Sequence, residues 1–267
     1  MEKITSFIIG FPVISFLIIT FLISLISFLL MFIVPNANSP ENITGLPVWL
    51  IAIWSPNIAA IVIWLSRKEL VSNLHYALSI PSFSWWFLIV LIPLIVATII
   101  LLTYVMSGNS IEWSNFKIEY ILPLLFINLF LGPLGEELGW RAYLYPIFTA
   151  KYGWMASALI VGIIWAIWHS PLWLLDSPQS KIPFGIFLVN VVLLSVLMSI
   201  VYNHSQGSII YIILLHLTFN FSLGIIDLLG SHTQDEFASQ GLFVYLPLVI
   251  ILVYIHELTA VKKCLIE

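Results

Sequence analysis

Charged side chains are scarce in this sequence. The 267 residues include nine Lys or Arg and thirteen Asp or Glu, so that only 8% of the chain is charged, whereas 61% is hydrophobic. A soluble domain is roughly 25% charged and about 45–50% apolar. So few charges cannot cover the surface of a water-soluble protein, and a net charge of -4 offers no basic surface to a nucleic acid. The composition therefore predicts a protein of the lipid bilayer without a nucleic-acid partner.

Cysteine and several common enzyme motifs are also missing or nearly so. Cys264 is the single cysteine, which excludes an internal disulfide. The sequence contains no HExxH zinc motif, no GxSxG nucleophile motif and no Walker phosphate loop. It also shows no internal repeat, and many secondary transporters are built from inverted repeats. The absence of an inverted repeat makes a proton-coupled transporter, with the Glu and His residues described below as a proton relay, the weakest functional hypothesis.

Long hydrophobic runs, by contrast, fill most of the chain. A helix needs about 20 mainly apolar residues to cross the hydrocarbon core of a bilayer. The first run exceeds the ~7–15 apolar residues of a signal peptide, and we expect it to be a retained span. The predicted fold is all-α, a polytopic integral membrane protein with about eight transmembrane helices. The eight stretches lie at residues 7–34, 46–66, 84–106, 119–135, 154–169, 183–202, 208–228 and 241–258.

The distribution of Lys and Arg predicts how the chain is oriented in the membrane. Cytoplasmic segments of membrane proteins carry an excess of these residues. With the N-terminus inside, only Lys117 and Lys181 fall on the outer face. An even number of spans then places both termini in the cytoplasm, most simply at a plasma membrane. The basic residues on the cytoplasmic side are Lys3, Arg67, Lys68, Lys151, Lys262 and Lys263.

The stretch GPLGEELGWRAYLYP places three ionisable groups directly after the fourth span. Pro133 and Gly135 interrupt the preceding helix, and we expect a new helix to start near Leu134. Glu137 and Arg141 are four residues apart and share a face of that helix, whereas Glu136 is rotated by about 100°. Charged side chains within a membrane are costly and usually functional. A salt bridge on a helix at the headgroup region is the alternative interpretation of these residues alone.

Two further polar clusters lie on other spans. His169 ends the fifth span just before Pro171, and His216 and Asn220 lie four residues apart on one face of the seventh span. Each needs a polar partner in lipid, and together with the two glutamates they can supply one another. The remaining histidines fall in loops or at span ends, where we expect them to be solvated. They are His75, His204, His232 and His256.

These residue types support hydrolysis by an activated water molecule. A buried carboxylate and an imidazole around one water form a general-base site. A second histidine and an asparagine can donate hydrogen bonds to an oxyanion. We expect Arg141 to hold Glu137 in place, which leaves Glu136 as the reactive group.

The same residues resemble the motifs of a known family. EELGWR is similar to the EExxxR motif of the CAAX-protease and bacteriocin-processing intramembrane endopeptidases, also called the Abi or type II CAAX prenyl protease family. WAIWH stands at the FxxxH motif, and HLTFN is similar to HxxxN. Trp165 replaces the motif's Phe, and Ala142 stands where a Gly commonly follows the Arg. We expect both exchanges to be conservative and to leave the reactive groups untouched.

The resemblance implies an eight-helix membrane endopeptidase. It covers residues of about 120–225. Because the sequence shows no repeat of fixed period and no low-complexity tract, we expect a single membrane domain, 1–267. This domain comprises generic N-terminal spans at 1–118, a catalytic core at 119–228, and a last span with a cytoplasmic tail at 229–267. The implied substrate is a membrane-associated peptide or lipoprotein, in some members a prenylated CAAX tail and in others one linked to bacteriocin immunity. The oligomeric state is left open.

The resemblance also implies roles for the six motif residues. Glu136 would be the general base, His169 would orient the water, and His216 with Asn220 would stabilise the oxyanion, with Glu137 and Arg141 in support. Glu136, His169 and His216 form an alternative zinc set, since one carboxylate and two imidazoles can bind that metal. We favour a metal-independent glutamate base, because each ligand would come from a different span. A non-catalytic binding or scaffold protein of the same fold is the second functional hypothesis.

Overall fold

The computed structural model describes residues 2–81, 86–175, 177–229 and 234–264. Over these residues the chain is helical and contains no strand, which confirms the predicted all-α class. The helices are α1 (Glu2–Gly10), α2 (Pro12–Ile33), α3 (Gly45–Arg67), α4 (Leu70–Ala77), α5 (Trp86–Met106), α6 (Ile118–Phe130), α7 (Pro133–Glu137), α8 (Tyr145–Tyr152), α9 (Trp154–Trp168), α10 (Phe184–His204), α11 (Ile209–Leu229) and α12 (Gln234–Cys264).

Eight helical segments within the described ranges are long and apolar enough to span a membrane. The protein is therefore a multi-pass integral membrane protein, as the composition predicts. The first span begins at Pro12 and not at residue 7, because the chain breaks between α1 and α2. The fourth is a broken helical segment that runs from Ile118 to Tyr152 and so extends well beyond the predicted 119–135.

Small side chains allow α2 and α3 to pack closely. Residues Ser24 and Ser55, one from each helix, are buried and their hydroxyl oxygens lie 2.7 Å apart. Lipid tails are as apolar as leucine, so membrane helices associate through close packing and hydrogen bonds. The Trp168 indole of α9 also donates to the Ser24 oxygen, at 2.6 Å. This contact joins the first two spans to α9, the helix that His169 caps.

The histidines outside the motifs do not all meet the expectation that they are solvated. His75 and His204 are exposed as predicted, and His232 lies outside the described residues. His256 is only 9% exposed, so the prediction for it is wrong. It packs against the ring of Trp154, with centroids 4.5 Å apart, and its Nδ1 lies 3.0 Å from His204 Nε2. The end of the last span, where His256 lies, is thus covered by Trp154 of α9. A sequence pattern does not indicate such contacts between helices.

A small apolar cavity opens beside this histidine pair. Its volume is about 60 Å³, and its walls come from α5, α10, α11 and α12. It is lined by aliphatic side chains such as Ile200 and Leu252 and does not include any of the six motif residues. The cavity therefore lies apart from the predicted site.

Candidate active site

The helix break predicted before the two glutamates is present. Helix α6 ends at Phe130, and α7 begins with Pro133 in its first turn, where the missing N–H of proline costs no helical hydrogen bond. After Glu137 the backbone widens into a π-helical segment, Leu138–Leu144, before α8 continues. The sequence pattern did not predict this widening. Single π-helical turns occur frequently at functional sites because they reorient side chains within a helix.

Helix α3 holds both ends of residues 134–139, the stretch that carries Glu136 and Glu137 and is called the glutamate segment below. Asn57 Nδ2 donates to the Leu134 carbonyl at 2.8 Å, and its Oδ1 accepts from the Gly139 N–H at 3.0 Å. One buried side chain therefore satisfies backbone groups on either side of Glu136 and Glu137. The sequence analysis missed Asn57, although an asparagine within an apolar span is the kind of signal that could have indicated it.

Two glycines allow α3 to come this close. A Cβ on Gly135 would lie 2.6 Å from Trp54 Cδ1, and a Cβ on Gly139 would lie 2.5 Å from the Pro56 backbone. Real Cβ atoms do not approach other atoms so closely, and the Pro56 backbone cannot rotate out of the way as a side chain can. The glycines of GPLGEELG therefore serve the packing of the site against α3 as well as the helix break.

Glu137 is fully buried and binds two cationic or potentially cationic groups. Arg141 Nη1 donates to its Oε1 at 3.2 Å and forms an ion-pair contact of 3.1 Å with Oε2. His216 Nδ1 lies 2.7 Å from Oε1. The predicted pairing of Glu137 with Arg141 is thus present, and Glu137 also anchors His216. Because the carboxylate accepts, Nδ1 of His216 carries the proton.

Glu136 points to a different partner. The Trp165 indole Nε1 donates to Glu136 Oε2 at 2.6 Å, and both side chains are buried. The expectation that Trp165 leaves the reactive groups untouched is therefore wrong. The exchange for Phe is not conservative here, because the indole brings a hydrogen-bond donor that a phenyl ring lacks.

His169 is oriented through a backbone group. Its Nδ1 lies 2.8 Å from the Trp165 carbonyl oxygen. A carbonyl only accepts hydrogen bonds, so Nδ1 carries the proton and the neutral ring has a bare Nε2. Helix α9 ends at Trp168, and His169 caps it before the turn that begins with Ser170, as the position of Pro171 predicts.

Asn220 lies one helical turn beyond His216 and is partly exposed. A Cβ placed on Gly132 would be 3.2 Å from its Nδ2, so the amide is next to a residue that lies just before the glutamate segment. It does not reach the carboxylates themselves through any hydrogen bond seen among the described residues. Asn220 is therefore adjacent to the cluster, whereas the other five predicted residues are joined through contacts with Trp165 or Glu137.

Trp165 is the common contact of this cluster. The Arg141 guanidinium carbon lies 4.1 Å from its ring centre, and the rings of His169 and His216 make edge contacts at 5.8 and 5.2 Å. Glu136, Glu137, Arg141, His169 and His216, from three separate spans, are thus brought together. Their assigned chemical roles remain predictions.

The comparison with known proteins agrees with the motifs. Residues 118–222 match the family model described as type II CAAX prenyl endopeptidase Rce1-like. The predicted family resemblance is confirmed. The chain is also 25% identical over 157 residues to a protein named CAAX prenyl protease 2 from Methanococcus maripaludis. This match covers 54% of the chain and 56% of the relative, so the chain matches little more than half the length of that protein.

The Rce1-like region contains all six predicted site residues. Asn57, which holds the glutamate segment, lies N-terminal to this region, as does Trp54, whose indole donates to the Phe130 carbonyl at the end of α6. The spans described as generic from the sequence therefore contribute to the framework of the site. The descriptions of both matches refer to CAAX prenyl processing, and neither mentions a metal or bacteriocin immunity.

The alternative zinc set was compared with the geometry of the site. Within the described ranges, no three His, Cys, Asp or Glu side chains are grouped so that they could hold a metal ion. Glu136 Oε2 is already bonded to Trp165, and Glu137 interacts with Arg141 and His216. Glu136, His169 and His216 are therefore not grouped around a common metal position in this arrangement.

Proposed function

We propose that this protein is an intramembrane endopeptidase that cleaves a membrane-associated peptide by means of a water molecule activated by Glu136. The observation that carries the proposal is a buried carboxylate beside two imidazoles that are each held through Nδ1. The match to an endopeptidase family and the name of the relative support the same reaction class.

Glu136 is suited to the role of general base. Its Oε2 is occupied by the Trp165 N–H, which leaves Oε1 for a water molecule. Burial disfavours the ionised form of a carboxyl group relative to water, which makes a buried carboxylate a better proton acceptor than an exposed one. The bare Nε2 of a neutral His169 accepts a hydrogen bond from the same water and orients it.

The reaction is balanced without another reagent. Glu136 takes a proton while the water oxygen bonds to the scissile carbonyl carbon, and the carbonyl electron pair moves onto oxygen. Collapse of this tetrahedral intermediate reforms the C=O bond and breaks the C–N bond. The proton held by Glu136 passes to the leaving nitrogen, which gives a carboxylic acid and an amine. The new acid then gives its proton to the amine, which leaves a carboxylate and an ammonium group.

The oxyanion requires donors from α11. Asn220 can donate from Nδ2 in any protonation state of the site. His216 donates its Nδ1–H to Glu137, so an N–H at Nε2 requires the imidazolium form. The Glu137 carboxylate fixes the orientation of the His216 ring, and Arg141 holds Glu137 in position. This arrangement gives Glu137 and Arg141 supporting roles, as the sequence predicts.

The position of the site and the comparisons support a membrane-associated peptide as the substrate class. The buried carboxylates lie on a segment within the fourth apolar span, so we expect a substrate to approach from the membrane. A peptide with a C-terminal CAAX box and a prenyl group on its cysteine meets this requirement. It is also the substrate type in the descriptions of the matching family and relative.

The proposal is tested with purified protein in liposomes and a fluorogenic CAAX peptide with a farnesylated cysteine. Glu136→Gln should lower turnover by about 10²–10⁴-fold, the usual contribution of a general acid–base group. Glu257→Gln is the matched control, because Glu257 also accepts an indole N–H, from Trp154 at 2.8 Å, at the opposite end of α9. Turnover in this control should be unchanged.

Three results of this assay would contradict the proposal or part of it. Wild-type turnover in Glu136→Gln would exclude the assigned base. Tight binding of the peptide without cleavage by the wild type would favour the non-catalytic binding protein. Activity that is lost on chelation and restored by zinc alone would overturn the metal-independent mechanism.

A further inference from the structure

We propose that Trp165 is a positioning residue for Glu136, whose indole N–H holds one carboxylate oxygen so that the other faces the attacking water. The inference rests on the proposed function, since it concerns the same carboxylate. It goes further by assigning part of the water-activating geometry to a residue outside the six motif positions of the sequence analysis.

The hydrogen bond between these residues has the features of a strong contact. The distance from Nε1 to Oε2 is 2.6 Å, and both side chains are buried. Hydrogen bonds to ionised acceptors are shorter and stronger than neutral ones. An indole can only donate, so the direction of the bond is certain. Among the described residues, the indole N–H is thus the hydrogen-bond donor that restrains the carboxylate, and it does so at one oxygen.

The indole itself is held on several sides. The Arg141 guanidinium covers its ring at 4.1 Å, and the rings of His169 and His216 contact it edge-on. Its own backbone carbonyl accepts from His169 Nδ1. Because one residue contacts the base, the water-orienting histidine and the supporting arginine, its position couples their orientations. A ring that is fixed in this way can define the rotamer of Glu136.

Phenylalanine would preserve the ring but not the donor. Phe occupies this position in the FxxxH motif, and its ring could make similar contacts with Arg141 and the two histidines. It could not restrain Oε2. The Trp at position 165 therefore adds to this chain an interaction with the base that the motif pattern does not contain.

The experiment compares Trp165→Phe with Trp154→Phe in the liposome assay with the farnesylated peptide. Trp154 is a matched control because its indole also donates to a glutamate, Glu257, far from the site. We expect Trp165→Phe to lower kcat roughly 10- to 100-fold, the range expected for loss of a hydrogen bond to a charged group, with KM nearly unchanged. Trp154→Phe should change neither constant.

A second replacement separates the hydrogen bond from packing. Benzothienylalanine at position 165 has the shape of tryptophan, with sulfur in place of the N–H. It should fold as the wild type does and still show the loss in kcat. Wild-type kcat for this variant, or a change confined to KM, would overturn the positioning role.

A readout without substrate keeps this inference distinct from the proposed function. The indole ¹⁵N–¹H resonance of Trp165, identified by its loss in Trp165→Phe, should shift in Glu136→Ala and remain in place in Glu257→Ala. A resonance that does not move in Glu136→Ala would refute the hydrogen bond itself. Wild-type protein that cleaves no peptide would refute the proposed function and the catalytic part of this inference, even if the resonance moves.

Discussion

Arg141 and Glu137 form an ion pair in a part of the chain where water is scarce. The Arg141 side chain is 1% exposed and that of Glu137 is fully buried. Among the described residues, Nη2 of Arg141 and Oε2 of Glu137 have no hydrogen-bond partner. Such a pair is costly to bury, and removal of one member leaves an uncompensated charge. At the scale of single residues, replacement of Arg141 is therefore expected to lower the folded yield at least as much as the turnover of each folded molecule.

Arg141→Ala should destabilise the protein by about 3–5 kcal/mol, the usual cost of breaking a buried pair. Folded yield should fall at least as much as turnover per folded molecule, measured by size-exclusion chromatography and the peptide assay. Arg67→Ala is the control, because the Arg67–Glu69 pair is exposed and such pairs contribute about 0–1 kcal/mol. Normal folding of Arg141→Ala with complete loss of turnover would instead indicate direct contact with the substrate.

Asn220 is expected to show the opposite behaviour. It is partly exposed, so Asn220→Ala should fold normally. Loss of an oxyanion donor typically lowers kcat by about 10²–10³-fold, and we expect this decrease with little change in KM. Thr218→Ala is the control on the same helix, because the Thr218 hydroxyl donates to the Leu214 carbonyl within α11. Equal kcat values for the two variants would exclude Asn220 from the oxyanion site.

At the scale of elements, the contact between α3 and the glutamate segment determines where the carboxylates lie. Asn57 bonds the backbone on both sides of them, at Leu134 and Gly139. The π-helical turn that follows moves Arg141 relative to a regular helix while the Glu137 contact is retained. The site is therefore built between two spans and not on one.

Asn57→Ala should leave a buried carbonyl and a buried N–H without partners, at a cost of about 1–3 kcal/mol for each. We expect a lower melting temperature in detergent together with lower turnover per folded molecule, because both glutamates lie between the two anchored points. Asn128→Ala is the control, since Asn128 Nδ2 donates to the Leu124 carbonyl within its own helix. If both variants melt and turn over alike, α3 does not position the segment.

Gly139→Ala tests the same contact by steric means. The new methyl group would lie 2.5 Å from the Pro56 backbone and would push α3 away from the site. Overpacking of this kind usually costs about 1–3 kcal/mol, and turnover should fall as well. Gly185→Ala, where a Cβ meets no atom within 4 Å, should be neutral in both measurements. Wild-type stability of Gly139→Ala would contradict the close packing described here.

At the scale of the whole molecule, the eight apolar segments establish a multi-pass membrane protein, and the orientation remains a prediction from the basic residues. Cys264 provides the test, because it is the only cysteine of the sequence. A maleimide that cannot cross membranes should label it only after intact cells are permeabilised. A Ser107→Cys variant in a Cys264→Ser background should be labelled in intact cells, since Ser107 follows α5 on the predicted outer face. The reverse pattern would invert the topology.

The fold class could be predicted because it depends on local chemistry. Apolar runs of membrane-spanning length can satisfy their backbone groups in lipid only as helices or closed barrels. Their length and lack of alternation favour helices, and each span of the structure overlaps one that hydropathy predicts, although the bounds differ at the first and fourth. The pairing of Glu137 with Arg141 was equally local, because residues four apart share a helix face.

The partners of Glu136 and the support from α3 were decided by tertiary structure alone. Trp165 is 29 residues from Glu136, and Asn57 is 82 residues from Gly139, so no spacing rule relates them. Their contacts depend on which spans are neighbours and on how each is rotated, which the packing of whole helices determines. The burial of His256 under Trp154 has the same origin. The sequence by itself determined which residues are able to carry the chemistry, and the tertiary structure decided which of them meet, because side chains on different helices come together only when the bundle is packed.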